Sequence, residues 1–130
     1  MLTTPAWIMI GMSRTVPGIL SYDDDRLRFA SGEELVFDAA PKDIQEVKWP
    51  KIYMGSGCKL AIDGESYRVT FVKPNGAPDI TDKLLGDAGG VLGAAGSVAD
   101  LKEAMGSFGD IKKGRAAGKA WKELLAGVTA

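Results

Sequence analysis

Residues 59–71 read KLAIDGESYRVTF. Apolar and polar side chains alternate on both sides of a turn-forming centre, and this two-residue period marks a pair of half-buried strands joined by a tight loop. Parity sets the facing: Leu60, Ile62, Tyr67, Val69 and Phe71 form the inward set, because a slip of one residue would turn all of them to water. Setting Ile62 against Tyr67 and Leu60 against Val69 leaves Gly64-Glu65 as the loop. Glycine at the first of two loop positions suits a type II′ turn. Cys58 then falls opposite Phe71 as a residue that fills the sheet.

The same argument extends toward the N-terminus. In RLRFA (26–30) the inward pair is Leu27 and Phe29, and in ELVFD (34–38) it is Leu35 and Phe37. Pairing Phe29 with Leu35 and Leu27 with Phe37 makes Ser31-Gly32-Glu33 the loop and sets Arg26 opposite Asp38 on the outer face. In LSYDDDRLRF (20–29), Leu20 faces inward and Tyr22 opposes Leu27 across a four-residue loop, Asp23 to Arg26. Apolar runs recur at 7–12, 18–22, 26–30, 34–38, 44–49, 58–63 and 66–72, broken by turn residues. Such spacing predicts a mainly β, α+β fold: a seven-stranded antiparallel barrel or sandwich.

Helical periodicity appears only later. Asp110 is placed to cap a helix reaching Leu125, with Gly127 as its stop. On that helix Ile111, Gly114, Ala117, Gly118, Trp121, Leu124 and Leu125 share one arc, and Lys112, Arg115, Lys119 and Lys122 line the adjoining side. Ser97 and Asp100 predict a capped short helix over 98–105, and a further turn or two covers 80–85. The chain thus divides into a barrel (1–72), a Gly/Ala-rich insert with short helices (73–109) and a closing C-terminal helix (110–130).

The insert contains GDAGGVLGAAG (86–96). A phosphate loop needs Gly-Lys-Ser/Thr opening a helix, and a dinucleotide fingerprint needs a different glycine spacing on a parallel sheet. Neither is present, and the stretch is too short and glycine-rich to span a membrane. It reads as a flexible connection.

The chain has 130 residues, a net charge of -1, one cysteine and no histidine. That size suits one core. The charge gives no overall field to collect nucleic acid. Disulfide scaffolds, most zinc sites and histidine-based catalysis drop out, and a reducing cytoplasmic setting follows. The opening MLTTPAWIMIGMSR lacks a basic leader and is too short in apolar core for a signal peptide or a span, so it reads as a strand. Asp23, Asp24 and Asp25 lack the glycine and trailing Glu of a calcium loop and read as an acidic hairpin turn. Cys58 has only a lysine such as Lys59 to activate it. No catalytic, cofactor or metal residues are assigned.

Three segments together resemble a known family. GILSYDDDRLRFAS (18–31), APKDIQEVKW (40–49) with Ile44 and Val47 three apart, and LAIDGESYRVTF (60–71) are similar to the signature of GRAM and bacterial PH-like domains. The resemblance implies the pleckstrin-homology plan, seven strands closed by an amphipathic helix with a Trp on its packing face, here Trp121. Phosphoinositide-binding members carry several basic residues in the first hairpin, whereas SRTVPG (13–18) holds only Arg14; the 73–109 insert is a second departure. The resemblance implies a non-enzymatic binding module for a protein partner or, weakly, for the anionic inner face of a membrane. The basic amphipathic side of the final helix offers Lys112, Arg115, Lys119 and Lys122, with Arg14, as candidate contact residues, each cation near a lipid surface contributing about 1 kcal/mol; the alternative is that the helix cations are simply the wet side of a docked helix. The alternative is a small-ligand carrier or enzyme that uses the barrel interior, opposed by a set of inward side chains large enough to fill it.

Overall fold

The computed structural model describes residues 2–10, 14–53, 55–74, 77–78, 80–92 and 111–129. Seven strands, β1 (Leu2–Ile10), β2 (Arg14–Asp23), β3 (Arg26–Ser31), β4 (Glu34–Ala39), β5 (Ile44–Lys48), β6 (Gly57–Ile62) and β7 (Glu65–Thr70), form one antiparallel sheet in the order β4-β3-β2-β1-β7-β6-β5. The sheet curls into a half-barrel. Its two wings meet across the interior, where the ring of Phe37 on β4 lies 5.0 Å from that of Tyr67 on β7. Among the described residues two α-helices follow, α1 (Asp82–Leu92) and α2 (Ile111–Thr129).

The first two strands are longer than their apolar runs, and each contains a proline. Pro5 lies outside the short stretch where β1 pairs with β7, and Pro17 lies before the stretch where β2 pairs with β3. Each ring therefore sits where the neighbour on one side has ended and no ladder bond is required of it.

Inward parity holds almost throughout, while the registers shift. Across β6 and β7 the partners are Cys58↔Val69, Leu60↔Tyr67 and Ile62↔Glu65, two residues from the expected pairing. The loop is Asp63-Gly64, with φ of 50° and 83°. Positive φ at both central positions is the type I′ requirement, for which Asp-Gly is a favoured pair, so the turn chemistry sets the register and the expected II′ turn is replaced. A shift of two leaves every side chain on its original face. Between β2 and β3, Tyr22 does oppose Leu27, but Asp23 pairs with Arg26 and the loop contracts to Asp24-Asp25, again with two positive φ values, 53° and 57°.

The β3–β4 hairpin departs further. Phe29 pairs with Phe37 and Ala30 with Leu35, with a bulge between these pairs and a two-residue loop, Gly32-Glu33. The extra residue, Val36, breaks the alternation. Leu35, expected inside, is 41% exposed and lies on the outer face opposite Ala30. Arg28, not Arg26, opposes Asp38, although Arg26 Nε still donates to Asp38 Oδ1 at 2.7 Å.

Burial separates into two clusters. The inner one gathers Ile8, Leu20, Leu27, Phe29, Phe37, Leu60, Ile62, Val69 and Phe71 with Trp121 and Leu125 of α2. The outer one joins Trp7, Ile19 and Ala30 of the sheet to Ile80, Leu85, Ala88 and Leu92. GDAGGVL (86–92), expected to be a flexible connection, is thus the greater part of an eleven-residue helix lying on the back of the sheet. Leu85, Ala88 and Leu92 recur at helical spacing, and their burial outweighs the propensity cost of the glycines, about 1 kcal/mol each against alanine. Trp7 Nε1 donates to the Pro78 carbonyl at 2.9 Å and ties the approach to α1 to the sheet. The expected helix over 98–105, its cap Ser97 and the cap Asp110 lie outside the described residues. At the other end α2 runs on to Thr129, so Gly127 does not stop it.

Candidate functional site

Trp121 anchors the elements that build the site. It is fully buried, its indole N–H donates to Thr4 Oγ1 at 2.8 Å, and its ring stacks parallel to Phe71 with centroids 6.5 Å apart. Two small residues on the same arc let the helix backbone come close. A Cβ on Gly118 would run into the Gly55 carbonyl oxygen, and one on Gly114 into Val72. The expected packing face is observed: Gly114, Gly118, Trp121 and Leu125 are buried and Ala117 and Leu124 half-buried. The side chain of Ile111 lies outside the described residues.

Gly118 presses on the linker between β5 and β6. That linker is a folded bend: Lys51–Tyr53 form a 3-10 turn, the Tyr53 N–H donates to the Pro50 carbonyl at 3.1 Å, and the Ser56 N–H donates to the Tyr53 carbonyl at 2.9 Å. Phe71 N–H then bonds the Ser56 carbonyl at 2.8 Å and joins the bend to the end of β7.

Between this bend and α2 lies an open groove of about 430 Å³. Trp49, Pro50 and Lys51 form one wall, and Arg115, Lys119 and Lys122 the other. Among the described residues, four cations line it and no carboxylate does. Three of the helix residues expected to act together therefore do converge. Lys51, which sequence reasoning missed, joins them because Gly118 brings the bend and the helix together; helical spacing alone could not reveal that neighbour. Arg14 stands apart, with its guanidinium 4.0 Å from Glu34, and does not line this groove. Lys112 belongs to α2, but its side chain lies outside the described residues.

On the other side of the bend is an apolar cleft of about 390 Å³, lined by Met9, Ile52, Tyr53, Val72 and Pro74 among others. Arg115 borders both depressions. Ile52, in the lining of the apolar cleft, is 83% exposed. A third groove, on the outer face of β5 to β7, carries Lys48, Lys59 and Arg68, but Glu46 stands there too and pairs with Lys48 at 2.9 Å.

Cys58 is buried, and burial pushes its thiol up to about 12. A thiol so far above neutral pH is a packing group and not a nucleophile. Asp24 and Asp25 occupy turn positions, where Tyr22 Oη donates to Asp25 Oδ1 at 3.3 Å. Among the described residues no group of three or more metal-ligating side chains comes together, and no helix is long and apolar enough to cross a membrane. No known family model and no curated protein matches this sequence.

Proposed function

We propose that the protein is a PH-like, non-enzymatic binding module that engages an anionic partner through the groove between the Trp49–Tyr53 bend and α2. The observation that carries this reading is the convergence of Lys51, Arg115, Lys119 and Lys122 on one groove with no carboxylate in its lining among the described residues. On a chain of net charge -1 such a local excess is a directed feature. The PH-like plan is supported by the strand order of the curled sheet and by the burial of Trp121 and Leu125 of α2 in its inner cluster. Against a carrier or enzyme working inside the barrel stands the inner cluster, whose buried members are apolar side chains.

Lys119→Glu/Lys122→Glu, two exposed positions on a helix whose buried face is untouched, tests this. Titrated with phosphatidylserine vesicles and with polyglutamate, the wild-type protein should bind at least one of these polyanions at low salt, and the double variant should lose that binding. Equal binding by both proteins, or no binding to either polyanion, contradicts the proposal.

A further inference from the structure

Ile52 is the most exposed large apolar side chain among the described residues, yet the backbone that carries it is held by three hydrogen bonds, from Tyr53 to Pro50, from Ser56 to Tyr53 and from Phe71 to Ser56. A singly exposed apolar side chain is ordinary on a protein surface; the setting of Ile52 is what marks it out. The residues around it match a water–lipid boundary. Trp49 and Tyr53 are half-buried amphipathic rings of the kind that sit at headgroup level, and between them Lys51 is an exposed cation on a stem long enough to reach back toward water. The basic groove on one side complements anionic headgroups, and the apolar cleft on the other extends the surface that can meet acyl chains.

We propose that the Pro50–Tyr53 bend is a membrane-inserting tip: Ile52 enters the acyl boundary of an anionic bilayer while Lys51, Arg115, Lys119 and Lys122 hold its headgroups. The inference rests on the anionic-groove reading and names its partner. A lipid surface fits better than an acidic protein because Ile52 protrudes. A protruding apolar side chain is accommodated by any soft apolar medium, whereas a protein would need a pocket shaped to it. Groove and tip act together, since neither four cations nor one isoleucine alone gives lasting attachment.

The test uses phosphatidylserine-containing and purely zwitterionic vesicles, with polyglutamate as a soluble acidic control. Ile52→Asp should lower partitioning onto the anionic vesicles by about tenfold or more, the loss expected when most of an isoleucine side chain can no longer be buried. Polyglutamate binding should not change. As a second variant, Ile52→Trp should bind at least as well as the wild type and add an emission component, absent from the wild type, that is blue-shifted on binding and quenched by brominated acyl chains. Unchanged partitioning of the Ile52→Asp protein, or emission that bromine does not reach, overturns insertion and leaves the groove reading intact. Binding to polyglutamate but not to vesicles overturns the lipid assignment. Binding to neither removes the groove reading as well.

Discussion

Asp38 sits between two guanidinium groups on the outer face of β3 and β4: Arg26 Nε donates to its Oδ1 at 2.7 Å, and Arg28 Nε lies 3.3 Å from the same oxygen without hydrogen-bond alignment. The hydrogen bond from Arg26, aided by Arg28, holds the Asp38 carboxyl below its usual range against the opposing pull of burial. A depressed pKa in the folded state means that this stability is present above the unfolded value, near 4, and is lost as pH falls through the folded value. Because about a third of each side chain is exposed, solvent screens the pair, and Asp38→Asn should cost about 1 kcal/mol or less at neutral pH. Urea unfolding repeated in acid should show the difference disappear; a deficit that persists there would point to packing and not to charge. Gly118 is a sharper case. Its missing Cβ is what lets α2 touch Gly55, so Gly118→Ala should cost about 1–3 kcal/mol by forcing helix and bend apart. A denaturation midpoint equal to wild type would mean that this contact is not formed.

At the scale of elements, α1 offers a test in the opposite direction. Gly86 and Gly90 have open space where a Cβ would go. In a helix interior each glycine is roughly 0.5–1 kcal/mol worse than alanine, so Gly86→Ala and Gly90→Ala should each raise the unfolding free energy by about that amount. No gain would be expected of a slack connection, and none observed would return the segment to that reading. The strands were legible in the sequence because alternation and parity survive a two-residue slip: Leu60, Ile62, Val69 and Phe71 face inward in either register. The turns were less legible, since Asp24-Asp25 and Asp63-Gly64 settle into paired positive-φ conformations that contract their loops. A bulge at Val36, invisible to a strict alternation, moved Leu35 outside. The helix on the back of the sheet was hidden by its glycines, but the consecutive apolar pairs Ala6-Trp7, Ile19-Leu20 and Phe29-Ala30 carried the signal that both faces of these strands are covered. Half of the groove could be read from helical spacing on α2. The other half, Trp49 and Lys51, depends on a contact between segments more than sixty residues apart, which no local pattern encodes.

For the whole molecule, the near-neutral charge hides an uneven distribution. Acidic turns lie at Asp24-Asp25 and Asp63, while cations collect between the bend and α2. Attraction through exposed cations weakens within a Debye length of about 8 Å at physiological salt, so vesicle binding should fall steeply as salt rises, and a residual salt-resistant part should disappear with Ile52→Asp. The most direct measurement of the central claim is an amide chemical-shift map of the isotope-labelled protein titrated with anionic bicelles. The account predicts saturable shifts concentrated at Trp49 to Tyr53 and at Arg115 to Lys122, with Arg14 and the Asp63-Gly64 turn unmoved. Shifts centred on Arg14 and the first hairpin, or a spectrum unchanged at saturating bicelle, would contradict it.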